Sequence, residues 1–497
     1  MPPKDRNSYG NIIKSIGIFG GTKIFQILIG IVRNKFLAVL LGPVGMGISG
    51  IITSTTTMIN AATGFGLHTS SVRDIARATE TKDEDKIRKV STVVKKLVVF
   101  TGLIGTLITF LFAPLLSQLS FGNDDYTFAF RIVSVVLFFD QLSVGQTALM
   151  QGTFHYKYMA KSSLFGSVIG LIVSVPLYFF WGQDAIVPVI IIASLTNLLL
   201  STYYSRKLNI RAKNMSFNEI WQVGKGMLVL GFAIALSGFV GTGQTYVLRV
   251  ALSRIGTVAD VGLYTAGITI VTQYINVLLQ AMGSDYSPRL AAVSDDKLLF
   301  CEVINRQIKL MITIVTPLLL PFIVFIRQLT IILYSDKFFD ITGMIEWMML
   351  GMFFRTLSWC LSYSMVAKGE SNIFFWNETV SCIYGAIFTI VGYYYGQFTG
   401  IGIAFCLEYF VYTIQMVVLC RRSFGFRFDK KTIKNIFVLF VVLILAFISI
   451  SITGYSNLRY FFGLIEIIVV VVISLCYLNQ MIPVPKIINK LFKYARR

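Results

Sequence analysis

Charge is scarce in this chain, and histidine scarcer still. Only 14% of the 497 residues are Asp, Glu, Lys or Arg, where a soluble globular chain carries about a quarter. That shortage excludes an ordinary water-soluble fold. The two histidines, His68 and His155, have no acidic or cysteine neighbour at ligand spacing, so neither reads as a metal ligand. The six cysteines show no CxxC spacing and mostly fall inside apolar runs. A thiol there is a small apolar filler rather than a disulfide or metal partner. No GxSxG, HExxH or GK[ST] phosphate loop occurs. Long outward loops are missing too: FGNDDYT, WGQDA, YSDKFFD and YGQFTG are typical connections, with no room for a catalytic domain.

What fills the chain instead is apolar. Hydrophobic residues make up 55% of it, and runs of about 20, enough to cross ~30 Å of hydrocarbon as a helix, recur from end to end. Fourteen such spans are expected, the first over 12–40 and the last over 460–480. The fold class this predicts is an all-α polytopic membrane protein. Basic residues outnumber acidic ones 44 to 24, for a net charge of +20. With the N-terminus set in the cytoplasm, most Lys and Arg fall on alternate connections, near 68–97, 205–225, 284–309 and 421–434, and after Pro485. The opposite side holds little beyond Arg254, Lys337 and Arg459. This is the positive-inside pattern. The charge sets topology, with both termini cytoplasmic, and meets anionic lipid; nucleic acid is not the expected partner. No small-residue cleavage site follows the first apolar run, which is expected to remain as a span.

The chain also echoes itself at a spacing that drifts from about 213 to 219 residues. LLGPVGMGISG at 40–50 matches RIGTVADVGLYTAG at 254–267, RDIA at 73–76 matches RLAA at 289–292, and MQG at 150–152 matches AKG at 367–369. An even number of spans separates each match. The expected organisation is therefore two parallel six-helix bundles, 1–210 and 211–425, related by a pseudo-two-fold axis along the membrane normal. Residues 426–497 add helices 13 and 14 and a basic tail. Such repeats are typical of transporters.

Polar residues follow the repeat. Thr53, Thr57, Asn60 and Gly64 stand at i, i+4, i+7 and i+11, and Thr269, Gln273, Asn276 and Gln280 stand at the same spacing 216 residues on. They read either as interhelical glue or as the wall of a polar cavity. In the first span Gln26, Gly30 and Arg33 share one face, and the repeat places Lys35 on Arg249. A snorkelling arginine and a basic vestibule both fit. Lys23, Asp140, Arg355, Glu378, Glu408 and Glu466 are further charges inside apolar runs. Each costs a few kcal/mol at mid-membrane and so faces a cavity or a partner. Arg355 is expected to line a cavity or pair with a carboxylate. Asp140, Glu378 and Glu408 are either halves of buried ion pairs or protonation or sodium sites.

LAVLLGPVGMG at 37–47, a span, then VRDIA at 72–76 resemble the start of the polysaccharide-unit flippases of the multidrug/oligosaccharidyl-lipid/polysaccharide exporter superfamily. LYSDKF at 333–338 and MVAKGESNIFFWNE at 365–378 are similar to segments of O-antigen translocases, and the layout of six, six and two spans agrees over nearly the whole chain. IGIVRNKFLAVLLG at 29–42 further resembles the first helix of lipid II flippases at Gly30, Arg33, Ala38 and Gly42. Asn34 departs from the acid found there, which argues against the peptidoglycan precursor as cargo. The resemblance implies transport of an undecaprenyl-pyrophosphate-linked oligosaccharide across a bacterial inner membrane, as in lipopolysaccharide biosynthesis. A polysaccharide polymerase and glycosyltransferases are its implied functional neighbours. No cofactor is expected beyond coupling to a proton or sodium gradient. On that reading Arg33, Lys35, Arg249 and Arg355 grip the pyrophosphate, while Gln26, Thr57, Asn60, Gln273, Asn276 and Gln280 meet the glycan. An ion-coupled multidrug exporter of the same superfamily is the nearest rival, disfavoured by the basic first helix. A lipid-linked glycan polymerase or ligase is disfavoured by the absence of a large outward loop.

Overall fold

The computed structural model describes residues 6–210, 213–454 and 456–481, with side chains from Gly21 onward except those of Phe217, Ala233, Tyr274 and Ser284. The basic residues expected on the tails, Lys4, Arg6, Lys14 and those after Pro485, lie outside the described side chains. Among the described residues the chain is helical, with no strand. An apolar chain in hydrocarbon has to satisfy its backbone internally, and helices do so.

The helices run α1 Arg6–Thr63, α2 Leu67–Glu80, α3 Glu84–Leu111, α4 Ala113–Phe121, α5 Thr127–Gly152, α6 Tyr156–Trp181, α7 Ile186–Arg206 and α8 Phe217–Ile255. They continue with α9 Val258–Ala292, α10 Lys297–Val324, α11 Ile326–Leu333, α12 Thr342–Lys368, α13 Ser371–Phe424, α14 Lys430–Thr453 and α15 Asn457–Met481. Among the described residues nine helices are long and apolar enough to cross a membrane, or ten if the bent pair within α8 is one span. Three of the nine, Gly21–Thr63, Tyr156–Arg206 and Ser371–Phe424, each cover two neighbouring expected spans in whole or in part. α12, with Glu346 and Arg355 in its interior, is not among the nine. Large apolar side chains such as Leu107, Ile172 and Val229 are more than half exposed, a pattern that suits a lipid surround and not water.

Local chemistry sets the breaks. α1 kinks at Gly42 (φ 66°, ψ −166°), just before Pro43. Proline cannot continue the preceding hydrogen-bond ladder, and glycine takes the positive φ without a Cβ clash. α13 kinks at Gln397 (φ 51°, ψ −137°) inside the expected YGQFTG turn. Asp83, Ser216, Asp296 and Asp429 cap the starts of α3, α8, α10 and α14 with their side chains, supplying acceptors to first-turn amides. The connection expected near 68–97 is more ordered than a loop. α2 buries Leu67, Ile75 and Ala78 on one face, where Leu67 and Ile75 join Val94, Leu97, Leu149 and Met227 in one apolar cluster.

Contacts divide the chain into two compact units, Met1–Thr265 with Leu333–Ser335, and Ala266–Ile332 with Asp336–Arg497. In the first, α1 packs on α6 and α8, and α5 on α3 and α7. The second leg of α1 meets the start of α9 at backbone distance: a Cβ on Gly262 would lie 1.8 Å from the Pro43 carbonyl oxygen, and one on Gly47 would lie 1.9 Å from that of Val258. Only glycine fits such a crossing. In the second unit, α12 packs along α13, and α10 meets α12, α14 and α15. There Arg459, the cation expected on an outer connection, is 2% exposed and paired with Glu346. It also donates to the carbonyls of Ile323 and Val324 at the end of α10. It is held inward because those last-turn carbonyls have no helical partner of their own.

Candidate functional site

Two polar centres stand among apolar helices, one in each unit. In the first, a cavity of about 570 Å³ is bordered by Lys23, Gln26, Asn60, His68, Asp140 and Asn197, with serines and threonines filling much of the remaining wall. Gln26 donates to Ser163 Oγ on α6. Asn60 accepts from Gln141 Nε2, and Asp140 Oδ1 accepts from Ser194 Oγ at 2.5 Å. Glycines make these approaches possible: a Cβ on Gly64 would lie 2.3 Å from Gln141 Nε2, and one on Gly166 would lie 2.5 Å from Asn197 Oδ1. The glycine that ends the Thr53 stripe is thus the gap through which Gln141 reaches Asn60. Among the described residues Asp140 has no cation within 4 Å. Amides, hydroxyls, one ammonium and one carboxylate on a common wall can hold a polyhydroxylic or ionic guest.

In the second unit the two legs of α13 fold onto one another, so closely that a Cβ on Gly400 would lie 1.9 Å from the Gly392 carbonyl oxygen. That closeness zips a polar chain between the legs. Tyr412 Oη donates to Glu378 Oε1, and Asn377 Nδ2 donates to Tyr412 Oη at 3.2 Å. Gln415 Nε2 donates to Asn377 Oδ1 at 2.7 Å, and Tyr384 Oη to Gln415 Oε1 at 3.1 Å. The Glu408 carboxylate lies against Gly385, whose added Cβ would be 2.4 Å from it. Nor, among the described residues, has Glu378 a cation within 4 Å. Among the described residues Arg355 has no carboxylate within 4 Å. Its guanidinium lies 5.3 Å from the centre of the Tyr409 ring, with Nη1 3.8 Å from Met352 Sδ, a cation–π seat.

The structure brings Gln26, Asn60 and Asp140 to one cavity, and Glu378 and Glu408 to facing legs of one helix. Arg33, Lys35, Thr57 and Arg249 do not border that cavity. Arg33 is exposed on α1, with its charge acting on Tyr178 of α6. Lys35 is half-buried. Thr57 is exposed and turned back onto the Thr53 carbonyl at 2.7 Å. Arg249 donates from Nη1 to the Gly50 carbonyl at 2.8 Å. On α9, Gln273 and Asn276 are half-buried and Gln280 is exposed.

A family model described as polysaccharide biosynthesis protein matches residues 36–343. The chain belongs to the polysaccharide biosynthesis protein family. This family member is 22% identical over 359 residues to the lipid III flippase of Escherichia coli (strain K12), covering 69% of this chain and 82% of that one, and equally to that of Shigella flexneri. Among solved structures it resembles an inward-facing multidrug resistance MATE family transporter of the MOP superfamily (TM-score 0.69, 14% identity, covering 80% of this chain and 94% of that chain). It also resembles the lipid II flippase MurJ in an inward closed conformation (TM-score 0.68, 14% identity, covering 93% and 98%). At these identities the structural likeness is one of fold.

Several polar residues of this polysaccharide biosynthesis protein were not singled out from sequence. Ser194, Asn197 and Ser201 of α7, and Tyr412 and Gln415 of α13, which continue the face of the expected Glu408, each follow the i, i+3 or i+4, i+7 spacing of a helical face. That spacing could have found them. Ser163 and Gln141 carry no such signal; their roles come from the helices they face.

Proposed function

We propose that the chain carries an undecaprenyl-pyrophosphate-linked oligosaccharide, an O-antigen or related polysaccharide repeat unit, from the cytoplasmic to the periplasmic leaflet of a bacterial inner membrane. The chain is a multi-pass membrane transporter of flippase type, and membership of the polysaccharide biosynthesis protein family carries the reading. Among proteins that build a polysaccharide, a chain of spans with short connections is suited to moving the lipid-linked intermediate. Gln26, Asn60 and Asn197 offer amide partners for sugar hydroxyls in the first-unit cavity, with Thr57, Gln273, Asn276 and Gln280 extending the polar path. Arg33, Lys35, Arg249 and Arg355 serve the pyrophosphate, arginine being able to hold its oxygens two at a time. Asp140, Glu378 and Glu408 couple transport to a proton or sodium gradient. The bundles 1–210 and 211–425 alternate access, 426–497 being appended, both termini face the cytoplasm, and a polymerase and glycosyltransferases are the functional neighbours.

The test is a deletion strain in which lipid-linked repeat units are assayed by leaflet. Build-up in the cytoplasmic leaflet, cured by the wild-type chain and not by normally expressed Arg33→Ala, supports the flippase and the cation. Cure by both leaves the flippase and removes Arg33 from the site. Normal delivery in a strain with no redundant flippase overturns the proposal and moves the rival reading, an ion-coupled multidrug exporter, to the front.

A further inference from the structure

The second unit holds another cavity, of about 1120 Å³, where α10 begins and α12 and α13 end. Five cations border it, Lys297, Lys368, Arg421, Arg422 and Arg427, against one carboxylate, Glu370. Some cations elsewhere are answered: Arg88 by Glu84 at 2.8 Å, Arg289 by Asp285 at 2.9 Å and Lys309 by Asp429 at 3.1 Å. None of these five has a carboxylate within 4 Å among the described residues.

The bland reading of Arg421 and Arg422 is that they neutralise the carbonyl end of α13. That end is already closed. Gly425, at φ 65°, donates its amide to the Arg421 carbonyl, and Phe426 donates to that of Cys420, each at 3.1 Å. This paired closure is the usual glycine-ended helix stop, and it leaves both guanidinium groups available. Other members of the rim are held in place. The Lys368 ammonium donates to the Ser294 carbonyl and lies 5.0 Å from the centre of the Phe300 ring. Lys297 lies over Gly425 so closely that a Cβ there would be 2.4 Å from its Nζ. Like charges gathered on a concave wall repel one another, and an anion relieves the repulsion.

Two further features choose the anion. The cavity lies at the ends of two apolar helices that qualify as membrane spans, Lys297–Val324 and Ser371–Phe424, the level at which headgroups sit. Leu298, on its wall, is 83% exposed, a bare apolar side chain beside a basic pocket. We propose that this cavity is a resident site for the phosphodiester headgroup of an anionic membrane phospholipid, with Arg421 and Arg422 as its principal phosphate ligands. Nothing in this depends on the transported cargo.

The experiment uses the full-length protein purified in neutral detergent, with lipid binding followed by native mass spectrometry. Phosphatidylglycerol and phosphatidylcholine are titrated against the wild type, against R421Q/R422Q, and against K430Q/K431Q, which removes the same charge from outside the cavity. The expected result is a preference for phosphatidylglycerol that falls about tenfold or more in R421Q/R422Q and less than about twofold in K430Q/K431Q. Unchanged elution and melting of the variants exclude misfolding. Inorganic phosphate is added as a competitor. Displacement of phosphatidylglycerol supports the shared phosphate chemistry. Phosphate binding with no preference between the two lipids overturns the lipid assignment, and equal losses in the two double variants overturn the site.

Discussion

Replacing Arg459 by methionine keeps an unbranched apolar stem and removes the guanidinium. That group is 2% exposed and bonds three partners at once, the Glu346 carboxylate and the carbonyls of Ile323 and Val324. Taking one member from a buried ion pair costs about 3–5 kcal/mol, because the other charge stays desolvated. Glu346 is only 13% exposed and gains little water in exchange. The two last-turn carbonyls of α10 lose their donor as well, at about 1 kcal/mol or more for each that stays dry. Since these terms overlap, the expected loss for R459M is about 4 kcal/mol. Glu346→Gln should cost less, about 3 kcal/mol, because the arginine keeps both carbonyls. Arg459→Lys should fall between, retaining charge without the planar fork. The double variant E346Q/R459M should be milder than the sum by about 2 kcal/mol, the mark of a direct pair. Reversible unfolding in mixed micelles, followed by tryptophan emission, measures all four. Single variants within about 1 kcal/mol of wild type, or additive effects, would refute the reasoning that this pair pins α15 to α10 and α12.

Further outcomes follow from other contacts. Gly262→Ala should sharply lower the yield of folded protein, since its Cβ meets the Pro43 carbonyl oxygen at 1.8 Å, whereas Gly226→Ala, with nothing within 4 Å, should be tolerated; size-exclusion profiles separate the two. Asp429 caps α14 and meets Lys309. Burial alone would raise its carboxyl, but Thr432 and Lys309 outweigh that and hold it below the ordinary 3.8. A depressed folded value means the stabilisation is present above about pH 4 and is lost as pH falls through the folded pKa. Asp429→Ala should therefore cost about 1 kcal/mol at neutral pH and progressively less in acid, read by melting curves across pH. Asp140→Asn retains an acceptor for Ser194 and the cavity's volume. It should abolish gradient-driven transport while leaving folding intact; transport in proteoliposomes under proton and sodium gradients checks it, and full activity under both removes Asp140 from coupling.

The sequence alone determined that the chain spans membranes as helices. Low charge and recurrent apolar runs are properties of composition, and a helix satisfies its backbone without help from neighbours. The kinks were legible too, because Gly42–Pro43 and the YGQFTG turn are local chemistry. Gln26, Asn60 and Asp140 stood out one by one, through helical spacing and the expense of an embedded charge, but not as neighbours. The tertiary structure decided who meets whom. Asn60 faces Gln141 because Gly64 leaves a gap. Glu378 meets Tyr412 because α13 folds back on itself, over 34 residues of sequence. Arg459, with the look of an outer-loop charge, is buried because the end of α10 needs a donor. Spacing along one helix fixes the face a residue occupies. Which face comes opposite depends on close packing between helices far apart in sequence, and that packing exists only once the chain has folded.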